Sequence, residues 1–241
     1  MFKTSLFFLI FWLGLLLSLI ILLGYYLLKF SGLKAVQKQY VYLVTSRWAR
    51  FTLFTAGIKL KVSGFEFLPG TNTGFVVISN HQGNFDIPVF LACLPFSAGF
   101  ISKKELMRLP FLSSWMRALD CLPIDRKNPR DSREKLIDRI KRRDKNPMFL
   151  FPEGTRSRGP EMGPFRTGSL KLIFLNRIDV LPVTINGSFM CFEKHGEIRG
   201  GPIDVIFHPL VKTSSYDPSG FDNFNADLRK VIASPQGEGL N

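Results

Sequence analysis

Apolar positions follow two different patterns along this chain. Residues 5–28 form a stretch of 24 residues, mostly Leu, Ile and Phe, with no charged side chain. A helix of about 20 apolar residues crosses the hydrocarbon core of a bilayer, so this stretch predicts a transmembrane helix that stays attached to the chain. Insertion into one leaflet, as a hairpin with the following residues, is the alternative. Residues 40–60 mix aromatic side chains with Arg47 and Arg50, which indicates an interfacial helix at the headgroup level.

From Lys61 onward, short runs rich in Val, Ile and Phe alternate with longer segments of helical periodicity. This alternation is typical of βα units. The predicted fold class is therefore α/β, with a largely parallel central sheet flanked by helices and preceded by the membrane helix and the interfacial helix. Residues 1–60 would form a membrane anchor and residues 61–241 one catalytic-sized domain. The predicted strands are Gly74–Ser79, Ala98–Ser102, Met148–Phe151, Val180–Ile185 and Ile203–His208.

Three segments of the second part carry apolar residues at helical spacing. Residues 106–119 predict an apolar helix, and residues 131–145 predict a charged helix with a narrow apolar stripe. The chain past Asp222 predicts a closing helix. Residues 234–241 are rich in Gly and Pro and predict a frayed tail.

The net charge of +13 and the pI near 9.9 imply an anionic partner. The candidates are nucleic acid, an anionic membrane surface and a phosphorylated substrate, and the apolar N-terminus favours a membrane over nucleic acid. Basic residues are more frequent after the apolar stretch than before it, which predicts a membrane protein whose chain after this stretch lies on the cytoplasmic side. The three cysteines are far apart in sequence, so neither a disulfide framework nor a zinc site is predicted.

Polar residues follow four of the predicted strands, at the edge where open α/β sheets bind ligands. The turn after the first strand contains His81 and Asp86. On one regular helix these residues would lie about 140° apart around the axis. With His81 in the turn and Asp86 in the first turn of the next helix, however, the carboxylate can reach the imidazole. The carboxylate would fix the tautomer and leave the other ring nitrogen to take a proton from a substrate hydroxyl, although the pair alone is also compatible with a plain turn hydrogen bond.

A second polar loop, residues 151–158, follows another predicted buried strand. Arg156 is suited to bind a phosphate in bidentate fashion, and Glu153 is suited to accept hydrogen bonds from substrate hydroxyls. Alternatively, Glu153 pairs with Arg156 or Arg166 and only stiffens the loop. Arg126 offers a second phosphate contact, although by itself it belongs to an exposed ion pair.

Several other classes of site lack a required residue. The chain has no Gly-x-Ser-x-Gly sequence, so a serine hydrolase with a nucleophile elbow has no nucleophile. Gly154 and Gly159 have the spacing of a phosphate-binding P-loop, but Pro160 and Glu161 stand where Lys and Ser or Thr are required. His195 and His208 lie outside any ligand-like cluster, so no catalytic metal is predicted.

Four motifs occur in order between residues 74 and 188. They are Asn80-His81 with Asp86, Ile124-Asp125-Arg126, the complete Phe-Pro-Glu-Gly-Thr-Arg-Ser from Phe151 to Ser157, and the apolar run Val180–Ile185 around Pro182. In this combination the chain resembles the lysophosphatidic acid acyltransferase family of glycerolipid acyltransferases. Gly83 stands where the family often has Ser, and Asp120 and Pro123 replace the usual Gly and Phe of the second motif. Glycine still caps a helix at little cost, so the change at position 83 is compatible with catalysis, whereas the departures in the second motif leave the acceptor open.

The resemblance implies transfer of a fatty acyl group from a thioester to the sn-2 hydroxyl of lysophosphatidic acid, giving phosphatidic acid in phospholipid biosynthesis. Residues 61–241 would then be the acyltransferase domain. The donor is acyl-coenzyme A or acyl carrier protein as co-substrate, with no cofactor and no metal. His81 would act as base and Asp86 would orient it, and the implied substrate-binding residues are Asn80, Arg126, Glu153, Gly154, Thr155 and Arg156.

Two kinds of alternative remain open, a different acceptor and a protein without catalysis. The acceptor is glycerol 3-phosphate, another lysophospholipid or a lipid-linked sugar, all of which require the same dyad. From a different class, the chain is a membrane-tethered module that binds an anionic lipid or a nucleic acid without catalysis. That last possibility predicts strong salt dependence of binding and no effect of replacing His81.

Overall fold

The computed structural model describes residues 1–70, 74–125, 127–142 and 146–234. Seven helices and seven strands occur in this part of the chain. The helices are α1 (Phe2–Phe30), α2 (Lys34–Ala56), α3 (Asp86–Cys93), α4 (Pro110–Ala118), α5 (Pro129–Lys141), α6 (Thr167–Leu175) and α7 (Phe221–Ala233). The strands are β1 (Ile58–Ser63), β2 (Phe75–Ser79), β3 (Gly99–Lys103), β4 (Leu122–Ile124), β5 (Met148–Leu150), β6 (Asp179–Asn186) and β7 (Gly201–Phe207).

The strands form one sheet in the order β1-β7-β6-β2-β5-β3-β4. Strands β6, β2, β5, β3 and β4 run in the same direction, because each adjacent pair among them is parallel. Strand β7 is antiparallel to β6 and parallel to β1, so these two strands run the opposite way. The predicted α/β fold with a largely parallel sheet is therefore confirmed, with β7 and β1 as the reversed edge.

Both faces of the sheet are covered, because successive side chains of a strand point to opposite faces. In β2, Phe75 and Val77 belong to an apolar cluster with α2 and α3, whereas Val76 and Ile78 belong to a second cluster with α5, α6 and α7. All five residues of β2 are buried. A strand buried on both faces is continuously apolar, as parallel strands of α/β proteins are, and this explains why its sequence predicted it.

All five predicted strands are present, with boundaries shifted by one or two residues at most. Two further strands were missed: β1, which follows α2 after Gly57 alone, and the three-residue β4. The helix predicted over residues 106–119 is wrong at its start, because residues 104–108 form a 3₁₀ turn and α4 begins at Pro110, a residue suited to the first helical position. Helix α5 ends at Lys141, and the tail after Ser234 lies outside the described residues.

Helix α1 is apolar all round, and among the described residues it alone has the length and composition to cross a membrane. One stripe of it is buried, formed by Phe7, Leu15, Ser18 and Leu22, whose spacing of three, four and eight residues matches one helical face. The indole of Trp115 on α4 donates a hydrogen bond of 2.7 Å to the Ser18 hydroxyl. The buried stripe therefore packs on the α/β domain, while most of the remaining α1 surface is exposed.

Candidate active site

The central position of β2 determines which loops meet. Its neighbours are β6 on one side and β5 on the other, and all three strands are parallel. Their carboxyl ends therefore lie at one edge of the sheet, where crevices of open α/β sheets form. The loops that follow begin at Asn80, Phe151 and Gly187. Three of the predicted polar turns thus lie side by side.

His81 and Asp86 are in direct contact. The Nδ1 atom of His81 lies 2.6 Å from Oδ2 of Asp86. Helix α3 begins at Asp86 and His81 lies in the turn before it, as the sequence predicted. A carboxylate only accepts hydrogen bonds, so Nδ1 carries the proton and Nε2 is the basic nitrogen. The ring stacks on Phe151 with centroids 4.0 Å apart, and its side chain keeps 19% of its surface exposed.

The carboxylate of Asp86 is fully buried, and each of its two oxygens accepts hydrogen bonds. Besides His81, Oδ2 accepts hydrogen bonds from the backbone amides of Gln82 at 2.7 Å and Gly83 at 3.0 Å. Oδ1 accepts a hydrogen bond from the hydroxyl of Ser188, which is also fully buried. Amide donors at a helix N-terminus stabilise a negative charge. Asp86 is thereby fixed in the orientation that holds the imidazole.

The carboxylate of Glu153 bridges two loops. Oε1 accepts the backbone amide of His81 at 2.7 Å, and Oε2 accepts the amide of Gly163 at 2.8 Å. Only 4% of the residue is exposed, and burial raises the pKa of this carboxyl, opposed by the two amide hydrogen bonds. Within the described part of the chain these amides, rather than Arg156 or Arg166, are its partners. Glu153 holds the histidine turn against the loop after β5, and its predicted contact with substrate hydroxyls stays a prediction.

Among the other predicted binding residues, Asn80 and Gly154 have structural roles, and Thr155 is exposed. Asn80 is buried and exchanges two hydrogen bonds of 2.9 Å with the backbone of Ile185, which ties β2 to β6. Gly154 has a φ of +66°, and a Cβ atom there would lie 2.8 Å from Nε of Arg166, so only glycine fits. Thr155 is exposed at the same edge as Arg156. The predicted contacts of Asn80, Gly154 and Thr155 with substrate stay predictions.

Arg156 reaches across from the loop after β5 to the histidine turn. Its Nη1 atom donates to Oδ1 of Asn84 and lies 3.4 Å from Oε1 of Glu193. Both contacts use Nη1, so among the described residues Nε and Nη2 meet no acceptor. The guanidinium can therefore bind an oxyanion through its second edge. Arg126, the other predicted phosphate contact, lies outside the described residues.

An apolar cavity of about 420 Å³ opens beside this site. Its wall includes Asn84 and Phe85, which belong to the turn between His81 and Asp86. The rest of the wall comes mainly from α1, α2, α3, α4 and β3, with residues such as Phe11, Trp48, Leu91, Leu112 and Trp115, and from Phe192 and Ile198 in the segment after β6. The volume lies in the range of pockets for small ligands, and its lining suits a hydrocarbon chain.

Sequence reasoning missed two residues of the site, Ser188 and Glu193. The sequence did mark the Asn-Gly-Ser turn after β6 as polar and close to the site. It gave no sign that this hydroxyl binds Asp86, a residue 102 positions away. Glu193 has no motif around it, and its contact to the amide of Asn84 spans 109 positions.

Comparison with known proteins adds an independent line of evidence. A family model described as Acyltransferase matches residues 59–186, more than half of the chain. A chloroplastic 1-acyl-sn-glycerol-3-phosphate acyltransferase of Brassica napus is 29% identical over 186 residues, covering 75% of this chain and 53% of that protein. A probable 1-acyl-sn-glycerol-3-phosphate acyltransferase of Mycoplasma genitalium is 28% identical over 269 residues, covering 97% and 95%. The chain spans about half the length of the chloroplastic relatives.

The fold has a counterpart among solved structures. The crystal structure of the 1-acyl-sn-glycerophosphate (LPA) acyltransferase PlsC from Thermotoga maritima matches with a TM-score of 0.81 at 23% identity, covering 98% of this chain and 96% of that one. This match supports the α/β architecture with its N-terminal apolar helix. The family model covers the segment that carries all four motifs, and it confirms the predicted resemblance: the chain belongs to the acyltransferase family.

Proposed function

We propose that this protein transfers a fatty acyl group from a thioester donor to the sn-2 hydroxyl of lysophosphatidic acid, giving phosphatidic acid. One observation carries the proposal: the His81–Asp86 pair lies next to an apolar cavity whose wall includes the turn between them. In this arrangement the base can activate a hydroxyl for attack on a fatty acyl thioester, while the apolar cavity holds the hydrocarbon chain. The names of the relatives agree with this acceptor.

The reaction requires one proton transfer in each direction. Nε2 of His81 takes the proton of the acceptor hydroxyl while the oxygen attacks the thioester carbonyl carbon. The imidazolium that forms is stabilised by the buried carboxylate of Asp86 at 2.6 Å. When the tetrahedral intermediate collapses, the carbon–sulfur bond breaks and His81 returns the proton to the thiolate. The ester and the free thiol are the products, and the residues are unchanged.

The oxyanion of the intermediate needs hydrogen-bond donors. The amides of Gln82 and Gly83 bind Asp86, and the amide of Asn84 binds Glu193, so the start of α3 has few donors left. In the described part of the chain, the amides of Thr155 and Arg156 meet no acceptor. We therefore assign the oxyanion to the loop after β5 rather than to the helix start.

No nucleophilic side chain is required at the site. Burial raises the pKa of the Cys191 thiol to about 12, with the nearby carboxyls of Glu193 and Asp86 acting in the same direction. This thiol stays protonated at neutral pH and is a poor nucleophile. Direct transfer from donor to acceptor is therefore the pathway that these residues favour.

Contacts of α1 bear on how the chain meets the membrane. The amide of Ile198 donates to the Thr4 hydroxyl at 3.0 Å near the start of α1. About halfway along the same helix, the Trp115 indole donates to the Ser18 hydroxyl. A helix held at these two points lies along the domain rather than projecting from it. The contacts favour insertion into one leaflet over spanning. The basic residues after α1 support placement of the site on the cytoplasmic side.

The proposed activity is tested with membranes that contain the protein, labelled long-chain acyl-coenzyme A and lysophosphatidic acid. Phosphatidic acid is the expected product, and the same assay with glycerol 3-phosphate or another lysophospholipid identifies any other acceptor. Acyl carrier protein is the second donor to try. Donor added to sealed inside-out and right-side-out vesicles tests the cytoplasmic placement, because acyl-coenzyme A does not cross the bilayer. No transfer with any of these pairs would contradict the proposal and favour a binding module.

The cavity predicts which donors are used. Leu112 on α4 lines the cavity, and its replacement by tryptophan fills part of the volume. We expect kcat/KM for a long-chain donor to fall roughly tenfold or more, with a medium-chain donor affected much less, because a blocked hydrocarbon pocket discriminates by chain length. Leu109→Trp is the matched control, since Leu109 precedes the same helix and is exposed. Equal loss for both donors would mean that the chain binds elsewhere.

A further inference from the structure

Glu193 is a buried acidic residue that none of the four motifs contains. It lies just after the 3₁₀ turn Ser188–Cys191 that follows β6. The segment that contains Glu193 is held by backbone hydrogen bonds from the amide of Lys194 to the carbonyl of Phe189 at 3.0 Å and from the amide of Gly196 to the carbonyl of Phe192 at 2.8 Å. Only 5% of the Glu193 side chain is exposed. A carboxylate this deeply buried is retained only where it has partners, so its contacts indicate its role.

One oxygen of Glu193 joins two loops of the site. Oε1 accepts the backbone amide of Asn84 at 2.6 Å and lies 3.4 Å from Nη1 of Arg156. The same Nη1 donates to the Oδ1 atom of Asn84. Asn84 and Glu193 thereby hold one edge of the guanidinium, and leave Nε and Nη2 as the edge for a ligand. Arginine binds phosphate best through such a two-donor edge.

The other oxygen of Glu193 fills the space beside Gly83. A Cβ atom built on Gly83 would lie 2.6 Å from Oε2, closer than carbon and oxygen approach without a bond. Oε2 is itself buried and has no hydrogen-bond partner among the described residues. The backbone of Gly83 is not in the left-handed region, so the absence of a side chain, rather than backbone freedom, is what this position requires.

We propose that Glu193 is a positioning residue that sets Arg156 for the phosphate of the acceptor, and that Gly83 is the glycine that makes room for it. This inference rests on the proposed function, because it needs an acceptor that carries phosphate. It also explains the departure at position 83: where the family often has Ser, this chain has the Glu193 carboxylate against a glycine. Burial and the neighbouring Asp86 raise the pKa of Glu193, while Asn84 and Arg156 oppose that rise, so its charge depends on these contacts.

The first test compares Glu193→Ala and Glu193→Gln with Arg156→Ala. We expect Glu193→Ala to raise KM for lysophosphatidic acid about tenfold or more, because a hydrogen bond to a charged group is lost and the guanidinium is no longer held. KM for the donor and kcat should change by no more than about threefold, since Glu193 does not contact His81 and does not itself line the cavity. Glu193→Gln keeps an oxygen for Asn84 and Arg156, so its KM for lysophosphatidic acid should lie between those of the wild type and Glu193→Ala. Glu197→Ala is the matched control, because Glu197 is a partly exposed acidic residue of the same segment that pairs with the Met1 amino group rather than with the site.

The double variant Glu193→Ala with Arg156→Ala, compared with each single variant, separates the phosphate site at Arg156 from the positioning role of Glu193. If Glu193 acts through Arg156, the double variant has the acceptor KM of Arg156→Ala alone. If Arg156→Ala leaves the acceptor KM unchanged, the proposed phosphate site itself is wrong. If Arg156→Ala raises KM and Glu193→Ala does not, only the positioning role is wrong.

Gly83→Ser tests the spatial match without removing a charge. The new Cβ displaces the Glu193 carboxylate, so we expect the acceptor KM to rise in the wild-type background. In the Glu193→Ala background the same serine meets no carboxylate, and the nearest remaining neighbour of its Cβ is the Ser188 carbonyl oxygen at 3.3 Å, so its further effect should be smaller. Equal effects of Gly83→Ser in both backgrounds would overturn the pairing. If Glu193→Ala folds poorly, Glu193→Ser serves as the second background, because it also removes the carboxylate that a Cβ at position 83 would meet.

Discussion

His81→Ala is expected to lower kcat for acyl transfer by about 10²- to 10⁴-fold, the usual contribution of a general base. The reason is that Nε2 is the basic nitrogen at the site, with Nδ1 committed to Asp86 at 2.6 Å. Binding should change little, because the acceptor phosphate and the acyl chain are assigned to Arg156 and to the apolar cavity. The measurement is kcat and KM for both substrates in membranes, with protein amount determined independently.

His195→Ala is the matched control for this substitution, because His195 is an exposed histidine outside the site. It should leave kcat unchanged. Added imidazole should restore part of the activity of His81→Ala if the missing group is a base, since the substitution leaves space beside Phe151, on which the ring stacks. A variant that keeps more than about a tenth of wild-type kcat would show that His81 is not the base.

The continuous apolar runs of the central strands made the sheet predictable. Strands β2 and β6 have almost every residue buried, so their sequences carry the signal of a strand covered on both faces. Strand β1 is different: only Ile58 of its six residues is buried, and it begins two residues after α2 ends. Its short, half-exposed pattern lies at the end of the aromatic segment 40–60, so no separate strand signal stands out there.

The candidate site divides in the same way between local and distant contacts. The His81–Asp86 contact spans five residues and could be predicted from a turn followed by a helix start. The contacts that Ser188 and Glu193 make depend on the register of β2 against β6, in which Ser79 lies beside Val183. That register follows from packing of the whole sheet rather than from any local pattern. The sequence alone therefore predicts the His81–Asp86 pair. It does not predict the supporting residues Ser188 and Glu193, which follow a different strand.

Glu153 shows a further limit. Its position in the most specific motif suggested contact with substrate, whereas both its oxygens bind backbone amides in two loops. A motif records which residues a site requires, but not whether each touches the substrate or holds another residue in place. The distinction needs the partners of each polar atom, which only the fold supplies.

Asp86→Asn is expected to remove most of the activity while leaving the fold nearly intact. An asparagine can place its oxygen where Oδ2 accepts the amides of Gln82 and Gly83, and can turn its NH₂ towards the hydroxyl of Ser188, which then accepts instead of donating. The packing of the turn survives, but the negative charge that stabilises the imidazolium is lost. We expect kcat to fall about 10²- to 10⁴-fold, as when a histidine base loses its carboxylate partner.

Asp86→Ala provides the contrast that separates charge from structure. It leaves two buried amides and the imidazole without an acceptor, and each buried donor left unpaired costs roughly 1–3 kcal/mol of unfolding free energy. Thermal unfolding should therefore distinguish the variants, with Asp86→Ala clearly destabilised and Asp86→Asn close to wild type, although both are inactive. An active and stable Asp86→Asn protein would mean that Asp86 serves only to shape the turn, because the geometry would then suffice without the charge.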